Sequence, residues 1–284
     1  MPDTGLLDPA SIRRLAEEIG LRPTKTRGQN FVHDPNTVRR IVQLSGITAD
    51  DQVLEIGPGL GSLTLGLLET GASVTAVEID ELLAPRLERT VRERMGDEAA
   101  SRLQVVHADA LEITELPGRQ PTAVVANLPY NVSVPVLLRL LELFDDWDRG
   151  LVMVQLEVAD RLVAKPGSKI YGVPSAKMAW YADAVRVGTV PPPVFWPVPN
   201  VDSGLVKITR RDEPEGDRKA TFTVIDAAFA QRRKMLRSAL SKMFGSSAAA
   251  SDALVAAGVS PEARGETLSV IDFARVAGEL PQTG

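Results

Sequence analysis

A glycine-rich turn beside an acidic residue is the first feature of this sequence that could bind a small molecule. The run "VLEIGPGLGSLT" (53–64) reads as a strand end and a helix start, with glycines at Gly57, Gly59 and Gly61. Glycines at such a turn let a ligand approach the backbone closely. The dinucleotide fingerprint G-x-G-x-x-G is not matched, because the third glycine arrives one residue early and Glu55 would oppose a pyrophosphate. With Glu55 beside it, the glycine turn favours a cationic or zwitterionic ligand. The glycine turn taken alone is also compatible with a nicotinamide cofactor.

Two further carboxylates end the next two apolar runs. Glu78 closes the second run, 21 residues after Gly57, and Asp109 closes the third. Parallel sheets bind ligands at the carboxyl ends of their strands, where an acid often accepts hydrogen bonds from ribose hydroxyls. Asp109 is placed to accept from an adenine amino group. The set predicts an adenosine without phosphates, S-adenosylmethionine, although each residue taken singly suits a turn or a helix cap equally well.

The fourth apolar run ends in "NLPY" (127–130), which combines two acceptors, a fixed turn and a ring. The Asn127 side chain and the Leu128 carbonyl can accept hydrogen bonds, Pro129 fixes the turn, and Tyr130 offers a stacking face. Acceptors on both hydrogens of adenine N6 would localise its lone pair and direct it at a sulfonium methyl. Other amides fit the same acceptors, and an isolated N-x-P-Y is typical of a tight turn. The chemistry alone therefore leaves the substrate open.

A parallel sheet would bring these strand ends to one edge. Short β-rich runs alternate with helical stretches from residue 51, as "QVLEIG", "SVTAVEID", "RLQVVHAD", "TAVVANLP" and "GLVMVQLE". This pattern predicts a doubly wound α/β domain. Two later strands, "DAVRVGTVPP" and "SGLVKITR", are expected to end the parallel sheet with an antiparallel pair. The proline-rich segment "PPPVFWPVPNVD" (191–202) between them is expected on the surface without regular structure. Helices are expected over 10–20 and from Asp34 or Pro35.

The length of 284 residues suits two domains, and the polar run "RRDEPEGDRK" (210–219) marks the boundary. We expect an N-terminal arm and α/β domain over 1–211 and a small helical domain over 212–284, where the basic run "QRRKMLR" continues a helical pattern. No cysteine and 2 histidines exclude a disulfide framework or a zinc site, and no metal is expected. No apolar run has the length of a membrane helix, so the cytoplasm is the expected compartment.

The net charge of −5 divides unevenly along the chain. Residues 50–160 carry a net charge of −12, which leaves +7 for the remainder. Residues 22–40 hold five Lys/Arg and one acid, and residues 207–242 have a net charge of +5. Such stretches predict a basic rim for RNA, with candidate contacts at Arg232, Arg233, Lys234 and Arg237. An ordinary solvated helix face remains the alternative for any single arginine.

Taken together, these motifs resemble the ribosomal RNA adenine N6-dimethyltransferases, and specifically the branch that acts on the small subunit. The matching runs follow the order of the family over most of the chain: "GQNF" (28–31), "VLEIGPGLGSLT", "AVEID" (76–80), "HADAL" (107–111), "NLPYNVS" (127–133), "VFWPVPNVDSGLVKI" (194–208) and "FAQRRKMLRSAL" (229–240). "GQNF" together with "NLPY" is far more specific than the glycine loop. Val32 stands where the family usually has Leu, a change of small effect if the backbone makes the contact.

The resemblance implies a seven-stranded, Rossmann-like methyltransferase sheet with a small helical RNA-recognition domain. It implies contacts to S-adenosylmethionine from the first motif and from the strand ends, at Gln29, Asn30, the Val32 backbone, Gly57, Gly59, Glu78, Asp109 and Asn127. It also implies that Phe195, from the proline-rich loop, faces Tyr130 across an extruded target base. The alternative is that Phe195 covers the sheet edge.

The resemblance further implies the reaction. We expect dimethylation of N6 on two adjacent adenines near the 3′ end of 16S rRNA, by a monomer acting on the rRNA or on a small-subunit precursor. Two other hypotheses stay open at this point. One is a 23S rRNA adenine methyltransferase of the antibiotic-resistance type, which shares the motifs. The other is a non-catalytic ribosome-assembly factor with the same fold.

Overall fold

The computed structural model describes residues 5–23 and 29–281. The N-terminal arm contains helix α1 (Pro9–Glu18), the short strand β1 (Phe31–Val32) and helix α2 (Pro35–Ser45). Both helices have an aspartate cap, because the carboxylates of Asp8 and Asp34 accept hydrogen bonds from backbone N–H groups three residues later. A proline follows each cap and its fixed φ suits the first helical turn. The two helices expected in this arm are therefore present.

Strands and helices then alternate as the sequence predicts. The elements are β2 (Gln52–Ile56), α3 (Ser62–Glu69), β3 (Ser73–Glu78), α4 (Ala84–Ser101), β4 (Leu103–His107), β5 (Ala123–Asn127), α5 (Ser133–Leu143), β6 (Arg149–Gln155), α6 (Leu156–Leu162), α7 (Val173–Tyr181), β7 (Ala182–Val190), β8 (Phe195–Trp196) and β9 (Ser203–Arg210). Strands β2, β5 and β6 are rich in Val, Leu and Ala and are almost wholly buried. Such strands are typical of a sheet covered on both faces.

The seven main strands form one sheet in the order β4-β3-β2-β5-β6-β9-β7. Strands β2 to β6 pair in parallel, and β9 pairs antiparallel with β6. The doubly wound α/β fold and its antiparallel finish are thus confirmed. The chain runs outward from β2 to β4 and then returns to β5 on the other side of β2. This reversal is the topological switch point, where sheets of this class bind their ligands.

The proline-rich segment is more ordered than the sequence predicts. Residues Pro192–Val194 form a 3₁₀ turn, and β8 pairs antiparallel with β1, with Val32 opposite Phe195 and Phe31 opposite Trp196. The His33 N–H also donates to the Val194 carbonyl at 2.9 Å. The expectation of no regular structure was wrong, because the prolines flank two aromatic residues whose own backbone groups remain free to pair.

Two compact units emerge from the contacts. The first contains the chain up to Ala159 together with Val185–Arg210, and the second contains Asp160–Ala184 with the residues from Arg211 onward. The sequence-based boundary at 211/212 assigned 160–184 to the first domain. In the structure this earlier segment packs in the helical core of the second unit, since Tyr171 and Ala176 are buried among residues of the C-terminal helices.

The second unit is helical in its C-terminal part. Its later helices are α8 (Arg218–Ala230), α9 (Leu236–Ala239), α10 (Ser241–Phe244), α11 (Ser247–Ala256) and α12 (Val270–Gly278). The continuous helix expected through "QRRKMLR" is interrupted, because 231–235 form a turn between α8 and α9. Over the ranges 5–23 and 29–281, no helix combines the length and apolar character needed to cross a membrane.

Candidate active site

A cavity of about 540 Å³ opens at the carboxyl ends of the parallel strands. Its volume falls in the range of roughly 300–1,000 Å³ that is usual for small-molecule sites. Its lining includes nearly every residue expected from the sequence to act in binding or chemistry, namely Gln29, Asn30, Val32, Gly57, Gly59, Glu78, Asp109, Asn127, Leu128, Pro129 and Tyr130. The structure therefore brings the first motif, the glycine turn and three strand ends into one site.

The glycine turn has a backbone that other residues rarely adopt. Gly57, Gly59 and Gly61 have φ values of 65°, 59° and 97°, in the left-handed region. At Gly59 the space is also closed, because a Cβ atom would lie 2.7 Å from the ring of Phe31. Glycine is thus required for both conformation and packing, and the turn lies directly against the first motif.

Glu78 is held in a fixed position beside the turn. Its carboxylate accepts hydrogen bonds from the backbone N–H groups of Gly59 and Asp80, each at 3.0 Å. Burial raises the pKa of Glu78 above its usual value, although these hydrogen bonds oppose the rise. Asp109 is half-buried, and one of its oxygens accepts from the Leu111 N–H at 2.8 Å. Both acids keep further acceptor capacity for a ligand.

Glu55 lies deeper in the same cavity. Its side chain is 1% exposed, and Thr64 Oγ1 donates to it at 2.6 Å. Burial raises the pKa of Glu55 to about 8, and the nearby charge of Glu78 adds to the rise. The isolated carboxyl is therefore mostly protonated at neutral pH, and a bound cation would favour its ionised form. The expectation that Glu55 faces a cationic or zwitterionic ligand stays a prediction.

Three hydrogen bonds hold the first motif at the cavity, from the loop after β3, the start of α3 and the end of β5. Gln29 Nε2 donates to Asp80 Oδ2 at 3.0 Å, and Ser62 Oγ donates to the Val32 carbonyl at 2.5 Å. Asn127 Nδ2 donates to the Asn30 carbonyl at 3.1 Å. Sequence reasoning did not single out Asp80 or Ser62, although Asp80 belongs to the "AVEID" run. Residue Gly28 of "GQNF" lies outside the described residues.

The contact with Asn30 orients the Asn127 amide. Because Nδ2 is the donor, Oδ1 is the acceptor end of the side chain. The Leu128 N–H donates to the Met153 carbonyl at 3.0 Å, and the Leu128 side chain is buried, which leaves its carbonyl as the polar group available for a ligand. Tyr130 is half-buried, and its hydroxyl lies 2.7 Å from Ser203 Oγ. The "NLPY" run thus forms one wall of the cavity, held by hydrogen bonds at Asn127, Leu128 and Tyr130.

Phe195 does not reach this cavity. Its side chain is 0% exposed and belongs to the core under the N-terminal arm. The pairing of β8 with β1 fixes its backbone opposite Val32, so its ring packs in the protein interior. The structure therefore gives Phe195 a packing role in the core, and its place opposite Tyr130 across a target base stays a prediction. Its neighbour Trp196 stacks on Phe31, with 6.3 Å between the ring centroids.

The four basic residues predicted to bind RNA differ in their surroundings. Arg232 is engaged within the second unit, because its guanidinium contacts Glu266 at 2.8 Å and the Lys169 carbonyl at 2.5 Å. Arg233 and Lys234 are exposed, and Arg237 is half-buried. All but Arg237 lie in the turn between α8 and α9.

Across the described parts of the chain, no group of three His, Asp or Glu side chains is arranged to hold a metal ion.

The family model and the relatives of similar sequence both point to the same family. Residues 21–282 match the family described as ribosomal RNA adenine dimethylase. The "Ribosomal RNA small subunit methyltransferase A" of Cutibacterium acnes is 66% identical over 291 residues, which cover 100% of this chain and 97% of the relative. The protein of the same name from Thermobifida fusca is 60% identical over 281 residues, 98% of each chain.

Two solved structures share the fold. A dimethyladenosine transferase from Plasmodium falciparum has a TM-score of 0.73 at 22% identity, over 87% of this chain and 95% of that one. The 23S rRNA methyltransferase ErmE has a TM-score of 0.63 at 26% identity, over 88% of this chain and 99% of that one. Its identity is far below that of the small-subunit relatives. With a family match over nearly the whole chain and relatives at 60–66% identity, this chain belongs to the ribosomal RNA adenine dimethylase family.

Proposed function

We propose that this protein transfers methyl groups from S-adenosylmethionine to N6 of two adjacent adenines near the 3′ end of 16S rRNA, giving N6,N6-dimethyladenosine during small-subunit maturation. The relatives at 60–66% identity carry the small-subunit name, which favours this substrate over 23S rRNA. The single observation that supports catalysis is the orientation of Asn127, whose Nδ2 is occupied by Asn30 so that Oδ1 is the acceptor. A non-catalytic factor would not need this acceptor.

The cavity fits the proposed cofactor. Glu78 ends β3 and Asp109 follows the last residue of β4 by two positions, where both are placed to accept hydrogen bonds from the ribose and adenine groups. The Gly57 to Gly59 backbone allows close approach, and Glu55 suits the ammonium of the amino-acid part. Gln29, Asn30 and Val32 complete the wall on the side of the first motif. When bound, S-adenosylmethionine supplies an electrophilic methyl group on a sulfonium.

The "NLPY" run is suited to prepare the adenine amino group. Adenine N6 is a weak nucleophile because its lone pair is delocalised into the ring. Hydrogen bonds to Asn127 Oδ1 and the Leu128 carbonyl would favour a pyramidal nitrogen and localise that lone pair. Tyr130 supplies a stacking face for a base extruded from its helix. Each transfer forms an N–C bond and breaks an S–C bond, and the N6 proton leaves to solvent, so no strong base is required.

Binding of rRNA would rest on basic residues outside the acidic sheet segment. Arg233, Lys234 and Arg237 are the candidates that remain, since Arg232 is held by Glu266. Phosphate contacts of this kind make binding depend strongly on salt. We further propose that the protein acts as a monomer in the cytoplasm, where its ribosomal substrate is assembled.

Mass spectrometry of 16S rRNA fragments tests the proposal. Small subunits lacking the modification are incubated with protein and S-adenosylmethionine, and we expect two dimethylated adenines in the 3′ fragment. Asn127→Ala is expected to lower kcat by roughly 10²-fold or more, as for loss of a donor or acceptor aimed at the reacting group. The exposed Asn200→Ala serves as the matched control. Methylation of 23S rRNA alone, or unchanged turnover by Asn127→Ala, would overturn the proposal.

A further inference from the structure

The Tyr130 hydroxyl is held by a residue from a strand much later in the chain. Tyr130 Oη lies 2.7 Å from Ser203 Oγ, although 73 residues separate the two in the chain. Ser203 is 0% exposed, whereas the Tyr130 ring is half-buried in the cavity wall. A fully buried hydroxyl is costly unless it is hydrogen-bonded. Ser203 therefore gives the Tyr130 ring a fixed point on its polar edge.

Ser203 lies in a paired and closely packed part of the sheet. It is the first residue of β9 and pairs with Gln155, the last residue of β6. The next residue, Gly204, packs so closely on α6 that a Cβ atom there would lie 2.4 Å from Ala159 Cβ. Leu128 is also bound to β6, through the Met153 carbonyl. Both the acceptor and the ring of the "NLPY" wall are thus tied to the β6–β9 pair.

The two methyl transfers make different demands on this wall. Unmodified adenine N6 has two hydrogens, one for each acceptor of the site, Asn127 Oδ1 and the Leu128 carbonyl. After the first transfer N6 has a single hydrogen, so only one of these hydrogen bonds can form. Stacking on Tyr130 must then contribute a larger share of the orientation of the base. A Tyr130 ring that is free to rotate would therefore lower the rate of the second transfer more than that of the first.

We propose that Ser203 is a positioning residue whose hydroxyl fixes the Tyr130 ring and thereby supports the second methyl transfer. This inference rests on the proposed function. In each transfer the methyl group moves from sulfur to N6, the sulfonium becomes a neutral thioether, and one N6 proton passes to solvent. Ser203 touches neither reactant and acts through Tyr130.

Single-turnover kinetics with the full-length protein test this role. The rate constants for mono- and dimethylation of under-methylated small subunits are measured for wild type, Ser203→Ala, Tyr130→Phe and the double variant. We expect each single variant to lower the second rate constant by roughly threefold to tenfold, the factor that corresponds to one hydrogen bond of ordinary strength, and the first rate constant by less. Monomethylated product should accumulate, with unchanged affinity for S-adenosylmethionine.

The double variant tests whether the two hydroxyls act together, and a control variant outside the cavity tests whether the effect is specific to Ser203. If the two hydroxyls act through each other, the double variant is no slower than either single variant. Ser45→Ala is the control, because Ser45 is also buried and hydrogen-bonded, to the Val42 carbonyl at 2.6 Å, but lies outside the cavity lining. It should leave the ratio of the two rate constants unchanged.

Two outcomes would overturn the inference. One is an unchanged ratio of the two rate constants in both Ser203→Ala and Tyr130→Phe, and the other is additive losses in the double variant. If Ser203→Ala does not fold, Tyr130→Phe decides alone, since it leaves β9 intact. Absence of 16S methylation by the wild type would instead reject the proposed function, so the two failures are distinguishable.

Discussion

Glu55 is the most deeply buried acid of the candidate active site, and its burial has a cost that varies with pH. It is 1% exposed, and in the absence of a ligand its hydrogen-bond donor is the neutral hydroxyl of Thr64. A carboxyl group in such surroundings favours its protonated form in the folded state. The unfolded chain has no such preference. Folding and proton uptake at this residue are therefore linked.

We predict that the ligand-free protein loses stability between pH 4.5 and pH 8 through Glu55. Burial raises its pKa from 4.5 to about 8, so the folded state binds more protons than the unfolded state in this window. The stabilising contribution is full below pH 4.5 and is lost as the pH rises, with a slope of at most roughly 1.4 kcal/mol per pH unit. Urea unfolding of wild type and Glu55→Gln at pH 5, 6.5 and 8 measures it. The variant should show a flatter pH dependence.

The control for this prediction is Glu115→Gln, because Glu115 is exposed. It should follow the wild-type curve. If Glu55→Gln also runs parallel to wild type over the whole window, the carboxyl does not titrate as the structure indicates.

At the scale of elements, the strands of the parallel sheet are joined at the edge opposite the cavity. Asp51 precedes β2 and is 6% exposed, and its carboxylate contacts the Arg149 guanidinium at 2.7 Å and 2.9 Å. Thr122 Oγ1 donates to Asp51 at 2.9 Å and the Thr48 N–H at 2.8 Å. Burial alone would raise the pKa of Asp51, but these partners outweigh it and hold that pKa below its usual value. One carboxylate thus connects the amino ends of β2, β5 and β6.

We predict that Asp51→Ala lowers the free energy of unfolding by about 2–3 kcal/mol. Breaking a fully buried pair costs about 3–5 kcal/mol, and Arg149 is 32% exposed, which reduces the effect. Asp148→Ala removes another partner of the same guanidinium, at 3.0 Å, but Asp148 is 74% exposed. That control should cost less than about 1 kcal/mol. Equal losses in the two urea titrations would contradict the assigned role of Asp51.

The elements were more predictable than their contacts. Alternating apolar runs predicted every strand of the seven-stranded sheet, and their ends predicted that Glu78, Asp109 and Asn127 lie at one edge. Strand ends follow from topology, which periodicity and turn residues encode. The contact of Ser203 with Tyr130 depends on long-range packing between distant segments, and no residue near "NLPY" in the sequence indicates it. The core packing of Phe195 was missed for the same reason, because its pairing with β1 is a long-range contact.

At the scale of the whole molecule, charge is distributed so that an acidic sheet segment is accompanied by basic stretches. Residues 50–160 have a net charge of −12, and residues 207–242 a net charge of +5. The structure refines this pattern, since Arg232 is occupied by Glu266 while Arg233 is exposed. Interruption of the expected helix puts the basic run in a turn. Long-range attraction of RNA depends on such exposed clusters more than on paired residues.

We predict that Arg233→Gln weakens binding to small ribosomal subunits and lowers the slope of log affinity against log salt by roughly 1, because one phosphate contact is lost. Arg275→Gln removes the same charge from a residue of the same unit that is 53% exposed and paired with Asp272. It should leave the slope unchanged. Filter binding at several salt concentrations measures both. Equal slopes for the two variants and wild type would exclude Arg233 from the RNA contact.

The position of β9 in the sheet also has a consequence for the order in which the protein is completed during synthesis. Strand β7 is made before β9, yet within the described residues its sheet neighbour is β9, which lies between β6 and β7. Until β9 has left the ribosome, β7 has no strand to pair with. Ser203 also emerges 73 residues after Tyr130. A nascent chain therefore acquires its glycine turn and acidic strand ends early, and secures the wall for the target base only with the last strand of the sheet.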